Sequence, residues 1–446
     1  MNTPIFDFVT EYAKKDAVRL HMPGHKGKSH LGFEQLDITE LYGADSLYLA
    51  DGIIKESEEN ASSLFGTGRT LYSCEGSSLC IRAMMYLIKA YSGQGGYVLS
   101  TRNAQSSFIS ACALNDIDIE WIFPKEDESY LSCVINGEIV ENCLSCVQKM
   151  PDCVYVTSPD YLGNLCDIKS IAAVCKRYGI PLIVDNAHGA YLKFLDEDIH
   201  PITLGATMCC DSAHKTLPVL TGGAYLHISK DAPSFFKKNA KSAMHLFGST
   251  SPSYLILASL DKANEYLSQG YKENLRELVA TIKELFSSVE FCTLFSAKHT
   301  HEPLKIVIEP KKIGYRGEDF AKILYENNIV CEFYDEDYVV LMPSLENGIR
   351  ELEILRDALL SVKKKEEILS STLILIPPKK AMSVREATYA KKERIPIENA
   401  LDRILATSTI SCPPAVSLIV SGEAFNQSII DLCKKYGFTY CDVVKK

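Results

Sequence analysis

Thr207-Met-Cys-Cys-Asp211-Ser-Ala-His-Lys215-Thr216 is a short apolar run that ends in an aspartate, a hydroxyl, a histidine and a lysine. Upstream, Pro181-Leu-Ile-Val-Asp185 repeats the pattern of a strand-sized apolar run closed by an aspartate. Further upstream, Val154-Tyr-Val-Thr157 runs into the turn Ser158-Pro-Asp-Tyr-Leu-Gly-Asn164. After it, Asp167 is placed to cap a helix reaching Tyr178, with Ile168, Ile171, Ala172 and Cys175 on one face and Gly179 as its stop. Short apolar runs alternating with helical periodicity from about Tyr97 to His227 predict an α/β fold with a mostly parallel sheet and crossover helices. Sheets of this kind bind ligands beyond the carboxyl ends of their strands. Asp185 and the segment from Asp211 to Lys215 fall at such ends.

Outward from this centre, helices are predicted near Ser253 to Tyr266 and Lys272 to Phe286. From Lys305 to Lys365 the texture changes. Strands are predicted at Lys305 to Ile308 and Val339 to Met342, with a helix over Asp319 to Asn327 and a charged helix running into Lys363-Lys-Lys-Glu-Glu. A linker with Pro377-Pro378 leads to a last segment with a helix near Ile397 to Ala406. The expected division is a large domain over residues 1–270, a small α/β domain over 271–370 and a C-terminal α+β domain over 371–446.

Composition narrows the function. A formal net charge of −10 argues against nucleic acid as the main partner and favours a small cationic substrate. The opening residues lack the apolar core of a signal peptide, and no run approaches the ~18 apolar residues of a membrane span. Sixteen cysteines, scattered and often inside apolar runs, read as free buried thiols in a reducing cytoplasm. Cys143 and Cys146 form a CxxC pair, but no second pair or histidine stands at metal spacing, so no metal is expected.

Chemistry centres on Lys215. A strand-end lysine is by itself far more often a solvated surface residue. A neutral lysine in a partly desolvated setting, however, attacks aldehydes, as the lysine that carries pyridoxal phosphate (PLP) must. PLP acts as an electron sink while its ring nitrogen stays protonated, and Asp185 is placed to secure that, although alone it could equally be a turn aspartate. The third element is Cys74-Glu-Gly76-Ser77-Ser78, which opens a helix with Cys80, Met84, Leu87, Ile88 and Tyr91 on one face. Two hydroxyls at a helix start make an anion site, or simply an ordinary cap. Carboxylate, lysine and phosphate cradle together are much more specific than any one of them.

At this point the chain resembles the bacterial ornithine/lysine/arginine decarboxylase family, whose fold is that of the aspartate aminotransferase-like PLP-dependent transferases. The resemblance is carried by Leu20-His-Met-Pro-Gly-His-Lys-Gly27, Asp37-Ile-Thr-Glu40, Gly76-Ser77-Ser78, Arg102-Asn103, Thr157-Ser-Pro-Asp-Tyr-Leu-Gly163, Asp185-Asn-Ala-His-Gly189, Ser212-Ala-His-Lys215 and Ser249-Thr-Ser-Pro-Ser-Tyr254. A weaker likeness runs from Arg394-Ile-Pro-Ile-Glu398 through Pro413-Pro414 to Gly422-Glu423. It implies decarboxylation of arginine, lysine or ornithine by a cytoplasmic polyamine-forming lyase, with PLP held on Lys215 as a Schiff base and Asp185 on the ring nitrogen. Ser77, Ser78, Ser212 and His214 would hold the phosphate, Ala187 would lie against the ring and His188 close by. Lys215 or His214 would return a proton to Cα. Ser249 and Thr250 would reach the cofactor of a neighbouring subunit in a homodimer, with His21 to Lys26 lining the entrance. There is no room for the extra N-terminal wing domain of the large acid-induced members, so no decamer is expected.

Departures from the family pattern keep other readings in view. Gln105 stands where the family places a ring-stacking histidine, and Gly222-Gly223 replaces polar residues. Cys412-Pro-Pro-Ala-Val-Ser417 departs from the family's tail motif. These changes leave room for a different PLP reaction, such as transamination or elimination, or for a non-catalytic relative. A nucleotide-binding reading of Met22-Pro-Gly-His-Lys-Gly-Lys-Ser29 requires a long helix after Ser29, which the sequence does not promise.

Overall fold

The computed structural model describes residues 1–93, 96–124, 129, 131–292, 299–369, 376–412 and 416–446. The chain forms two compact units, one from Met1–Gln94 with Ile168–Glu273 and the other from Gly95–Asp167 with Asn274–Lys446.

In the first unit the strands lie in the order Arg69–Ser73, Ala224–Ile228, Met208–Asp211, Leu182–Asp185. Leu182–Asp185 and Met208–Asp211 are parallel, and Asp185 sits opposite Cys210. Every residue of the Leu182, Met208 and Ala224 strands is buried, which is why they read as unbroken apolar runs instead of alternating ones. Ala224–Ile228 runs antiparallel to both neighbours. Its link from Met208–Asp211 holds only the four-residue helix Ala213–Thr216.

The Gly76–Ser92 helix packs on this sheet and on the Ser234–Phe247 helix, and buries Leu79, Cys80, Ala83, Met84, Leu87 and Ile88. Tyr91, at the end of that face, is partly exposed and sits 4.8 Å from Phe236 between ring centroids. The Ile168–Tyr178 helix buries Ile168, Ile171, Ala172, Val174 and Cys175, and Gly179 follows it in the left-handed region (φ +68). Phe65 packs against Phe194, Tyr225 and His227 at centroid distances of 5.4, 5.3 and 4.5 Å, and burying such a ring stabilises by about 1.5–3 kcal/mol. The expected helices near Ser253 and Lys272 are Tyr254–Leu267, capped by Ser253, and Tyr271–Phe286. Residues 21–32 form turns and Ser29 opens no helix, so the nucleotide-loop reading lacks its structural half.

In the second unit Cys153–Thr157, Tyr97–Thr101 and Asp118–Ile122 pair in that order, all parallel. A small antiparallel sheet, Ile306–Ile308, Val339–Leu341 and Phe333–Tyr334, accompanies the helices Gly317–Glu326 and Ile349–Ser361. The last helix stops before the Lys363 charge run. Beyond it, Thr409–Cys412 pairs with Val416–Val420 and Lys392–Pro396 with Tyr440–Val444, while Gln427–Lys435 is helical. Leu405, Leu418, Ile419, Phe425 and Ile429 form the core there.

The helix expected from Ile397 to Ala406 is corrected to a 3-10 turn over Ile397–Asn399. Asp402 takes a left-handed conformation (φ +59), and the N–H groups of Leu405 and Ala406 donate to Glu423 and Asp442 carbonyls. The backbone is therefore committed to long-range pairing that a helix would forbid. Two motif pieces far apart in sequence meet here: Arg102 Nη2 donates to Glu423 Oε2 at 2.9 Å and to the Leu418 carbonyl at 3.1 Å, both charged groups buried. Pro413-Pro414 lies outside the described residues. Among the described residues no helix is long and apolar enough to cross a membrane. The cysteines described are free thiols, most of them buried.

Candidate active site

Lys215 lies in the short helix Ala213–Thr216, at the carboxyl end of the Met208–Asp211 strand. Its N–H donates to the Ser212 carbonyl (2.9 Å), and its Nζ lies 2.9 Å from His188 Nε2. His214 holds the far side of the same loop: its backbone N–H and its Nδ1 both reach the Gly223 carbonyl, at 3.2 and 2.9 Å. A carbonyl only accepts, so Nδ1 carries the proton and a neutral His214 keeps its lone pair on Nε2. Burial lowers the pKa of His214, with Lys215 nearby adding to the effect, which favours that neutral form.

Asp185 closes the neighbouring strand and is 3% exposed. Its Oδ1 accepts the Ala187 N–H (3.2 Å) and the Cys210 thiol (3.6 Å). His188 follows in the turn closed by the Gly189 N–H donating to the Asn186 carbonyl (2.8 Å). At the start of the Gly76–Ser92 helix, Ser77 Oγ accepts from Ser212 Oγ at 2.8 Å, with Ser78 next in line. Gly76 is left-handed (φ +68), with open space where a Cβ would stand. The Gly222 carbonyl accepts the Gly76 N–H (2.7 Å), and a Cβ on Gly222 would meet the Cys74 carbonyl oxygen at 2.8 Å. The departure at Gly222 thus has a local cause: the loop after Lys215 passes too close to the helix start for a side chain.

Ser249 and Thr250 are exposed, just past the Ser234–Phe247 helix. Glu75 Oε1 accepts the Ser249 N–H at 2.6 Å, tying this loop to the same helix start. The first unit therefore carries all the expected site residues except Gln105. Gln105 belongs to the second unit, where it precedes the Ser106–Asn115 helix, bridges to Val416 through its backbone and accepts the Ser107 hydroxyl on Oε1.

Sequence reasoning missed the charge beneath the site. Asp211 is fully buried. Asn186 Nδ2 donates to its Oδ1 (2.7 Å), while His200 Nε2 and His227 Nε2 converge on its Oδ2 (3.0 and 3.1 Å). The Ile202 N–H reaches His200 Nδ1 at 3.4 Å, and Thr70 Oγ1 lies 2.9 Å from His227 Nδ1. Burial alone would raise Asp211, but the two histidines outweigh it and hold the carboxyl well below the usual carboxylate range. A depressed carboxylate contributes stability above its unfolded pKa of about 4, and that contribution is lost as pH falls towards the folded value. Asp211→Ala leaves three buried donors without their acceptor. It is expected to cost about 3–5 kcal/mol at pH 7, read as a fall in the urea midpoint, with the difference from wild type shrinking in acid.

The donor set fits PLP. A buried carboxylate, an amine beside an imidazole, and two hydroxyls at the positive end of a long helix are the three anchors that the ring nitrogen, aldehyde and phosphate require. The Thr216 hydroxyl, buried beside Lys215, has no hydrogen-bond partner among the described residues and offers a further donor. Residues 3–301 match the Orn/Lys/Arg decarboxylase major domain, and residues 365–436 match that family's C-terminal domain. The chain belongs to the Orn/Lys/Arg decarboxylase family. This family member is a PLP-dependent decarboxylase of basic amino acids. Among its relatives are arginine decarboxylases of Bacillus subtilis and Halalkalibacterium halodurans. They are 27% and 29% identical over 96% of this chain, and cover 92% and 91% of their own lengths. A lysine decarboxylase of Francisella novicida shares the fold with a TM-score of 0.82 and 18% identity, over 99% of this chain and 81% of that one. Lysine decarboxylase A of Pseudomonas aeruginosa does so at 0.79 and 17%, over 99% and 80%.

Proposed function

We propose that the decarboxylase acts on arginine, with Lys215 as the residue that carries the cofactor. The observation behind the site assignment is the 2.9 Å approach of Lys215 Nζ to His188 Nε2, one turn away from the buried Asp185 carboxylate. The choice of arginine rests on the arginine decarboxylases that align with 96% of the chain. The net charge of −10 suits a cationic substrate.

Each residue then has a physical task. His188 Nε2 takes a proton from Lys215 Nζ, leaving the amine neutral and nucleophilic. Asp185 keeps the ring nitrogen protonated, since its charge is buried where water cannot screen it. Ser77, Ser78, Ser212 and His214 would hold the phosphate at the start of the Gly76–Ser92 helix. Bound PLP supplies the electron sink into which the pair from the broken Cα–carboxylate bond flows. Lys215 or His214 returns a proton to Cα, and the amine and carbon dioxide leave. Ala187 would lie against the ring. Ser249 and Thr250, braced by Glu75, serve the site of a second copy in a homodimer. A three-domain division at 270 and 370, a cytoplasmic location and a place in polyamine formation complete the reading.

Purified protein loaded with PLP, given arginine, lysine and ornithine separately, is expected to release agmatine at least ten times faster than cadaverine or putrescine, measured by mass spectrometry. Faster release of either other amine would overturn the arginine assignment. A keto acid in place of an amine would point to transamination on the same scaffold.

A further inference from the structure

Asp185 does not meet its neighbours through backbone alone. The strands Leu182–Asp185 and Met208–Asp211 are parallel and place Asp185 directly opposite Cys210, both buried, with Cys210 Sγ 3.6 Å from Asp185 Oδ1. The Ala187 N–H also donates to that oxygen. We propose that the Cys210 thiol is a positioning residue for Asp185, a deliberately weak donor that sets how strongly this carboxylate holds the ring-nitrogen proton of PLP. The proposal rests on the assignment of Asp185 to that nitrogen.

The physical case is one of graded hydrogen bonding. Each donor to a carboxylate stabilises its charged form and withdraws negative charge from the oxygen that must face a partner. A hydroxyl at this position would be a strong donor, whereas a thiol is a weak one and an apolar side chain gives nothing. The thiol keeps its hydrogen: burial and the nearby carboxylates and thiols push Cys210 well above its ordinary pKa. The titratable groups around it are Asp185 on the neighbouring strand, Cys209 and Asp211 on its own, and Cys80 on the Gly76–Ser92 helix. Asp211 is already committed to Asn186, His200 and His227, and Cys80 and Cys209 are likewise held as thiols by burial, so the donor that faces Oδ1 from the Met208–Asp211 strand is Cys210.

Serine and alanine fill nearly the same space, so comparing Cys210→Ser with Cys210→Ala isolates the donor from the volume. PLP labelled with 15N in the ring is loaded into wild type, C210S, C210A and D185N, and the ring-nitrogen resonance is followed against pH. The midpoint for loss of the ring proton is expected to rank C210A above wild type above C210S. Wild type and C210S should differ by about half a pH unit, the size of a modest change in one charged hydrogen bond. In D185N the ring nitrogen is expected to have lost its proton at neutral pH. Should C210A fail to fold, C210V, which lacks the donor without leaving a cavity, takes its place. Coincident midpoints for wild type, C210S and C210A, with D185N displaced, would overturn the role of Cys210 and leave Asp185 in place. A D185N titration that matches wild type would instead overturn the assignment of Asp185 itself.

Discussion

Replacing Lys215 by alanine is expected to lower amine release by about four orders of magnitude, the scale seen when a nucleophile that works as part of a unit is removed. The fold should survive, because Lys215 belongs to a four-residue helix held by backbone bonds from Ser212 and Gly223. PLP should still bind through the phosphate and ring-nitrogen contacts, more weakly and without a covalent link. The loss should appear in kcat at saturating cofactor, measured by carbon dioxide release. An alanine variant within tenfold of wild type would mean that another amine does this work.

The second large effect is expected at Asp185. Asp185→Asn keeps the shape of the side chain and can still accept the Ala187 N–H, but it removes a charge that sits 3% exposed at the end of a buried strand. Loss of one preorganised electrostatic partner in a water-poor site costs about 100- to 1,000-fold in rate. The fall should persist at saturating PLP, and the thermal midpoint should change little compared with that of Asp211→Ala. Comparing the two aspartates separates a charge that serves the cofactor from one that serves the fold. Asp211 has three side-chain donors converging on it from within the unit, whereas Asp185 Oδ1 accepts from the Ala187 N–H and the Cys210 thiol.

Most of the scaffold was legible because its signals are local. Leu182–Asp185 and Met208–Asp211 are unbroken apolar runs with aspartates at their ends, and the Ile168–Tyr178 helix carries its apolar face and its glycine stop in plain order. The candidate site was legible for the same reason: Ser77, Asp185, His188, Ser212 and Lys215 lie in short motifs at strand ends and a helix start. What stayed hidden depends on contacts between distant segments. The antiparallel course of Ala224–Ile228 is set by its pairing with both Arg69–Ser73 and Met208–Asp211. His200 and His227 meet Asp211 only once the sheet is assembled, and nothing in their spacing announces it. Ile397 to Ala406 mimics a helix by apolar spacing, yet its backbone pairs with Glu423 and Asp442. The contact of Glu75 with Ser249 and that of Cys210 with Asp185 are likewise tertiary facts.

Borohydride reduction of the PLP-loaded protein, followed by peptide mass spectrometry, tests the central claim most directly. The expected result is one reduced cofactor adduct per chain, on the peptide containing Lys215, and none in the alanine variant. An adduct on a different lysine, or none on a protein that still releases amine, would contradict the assignment of Lys215.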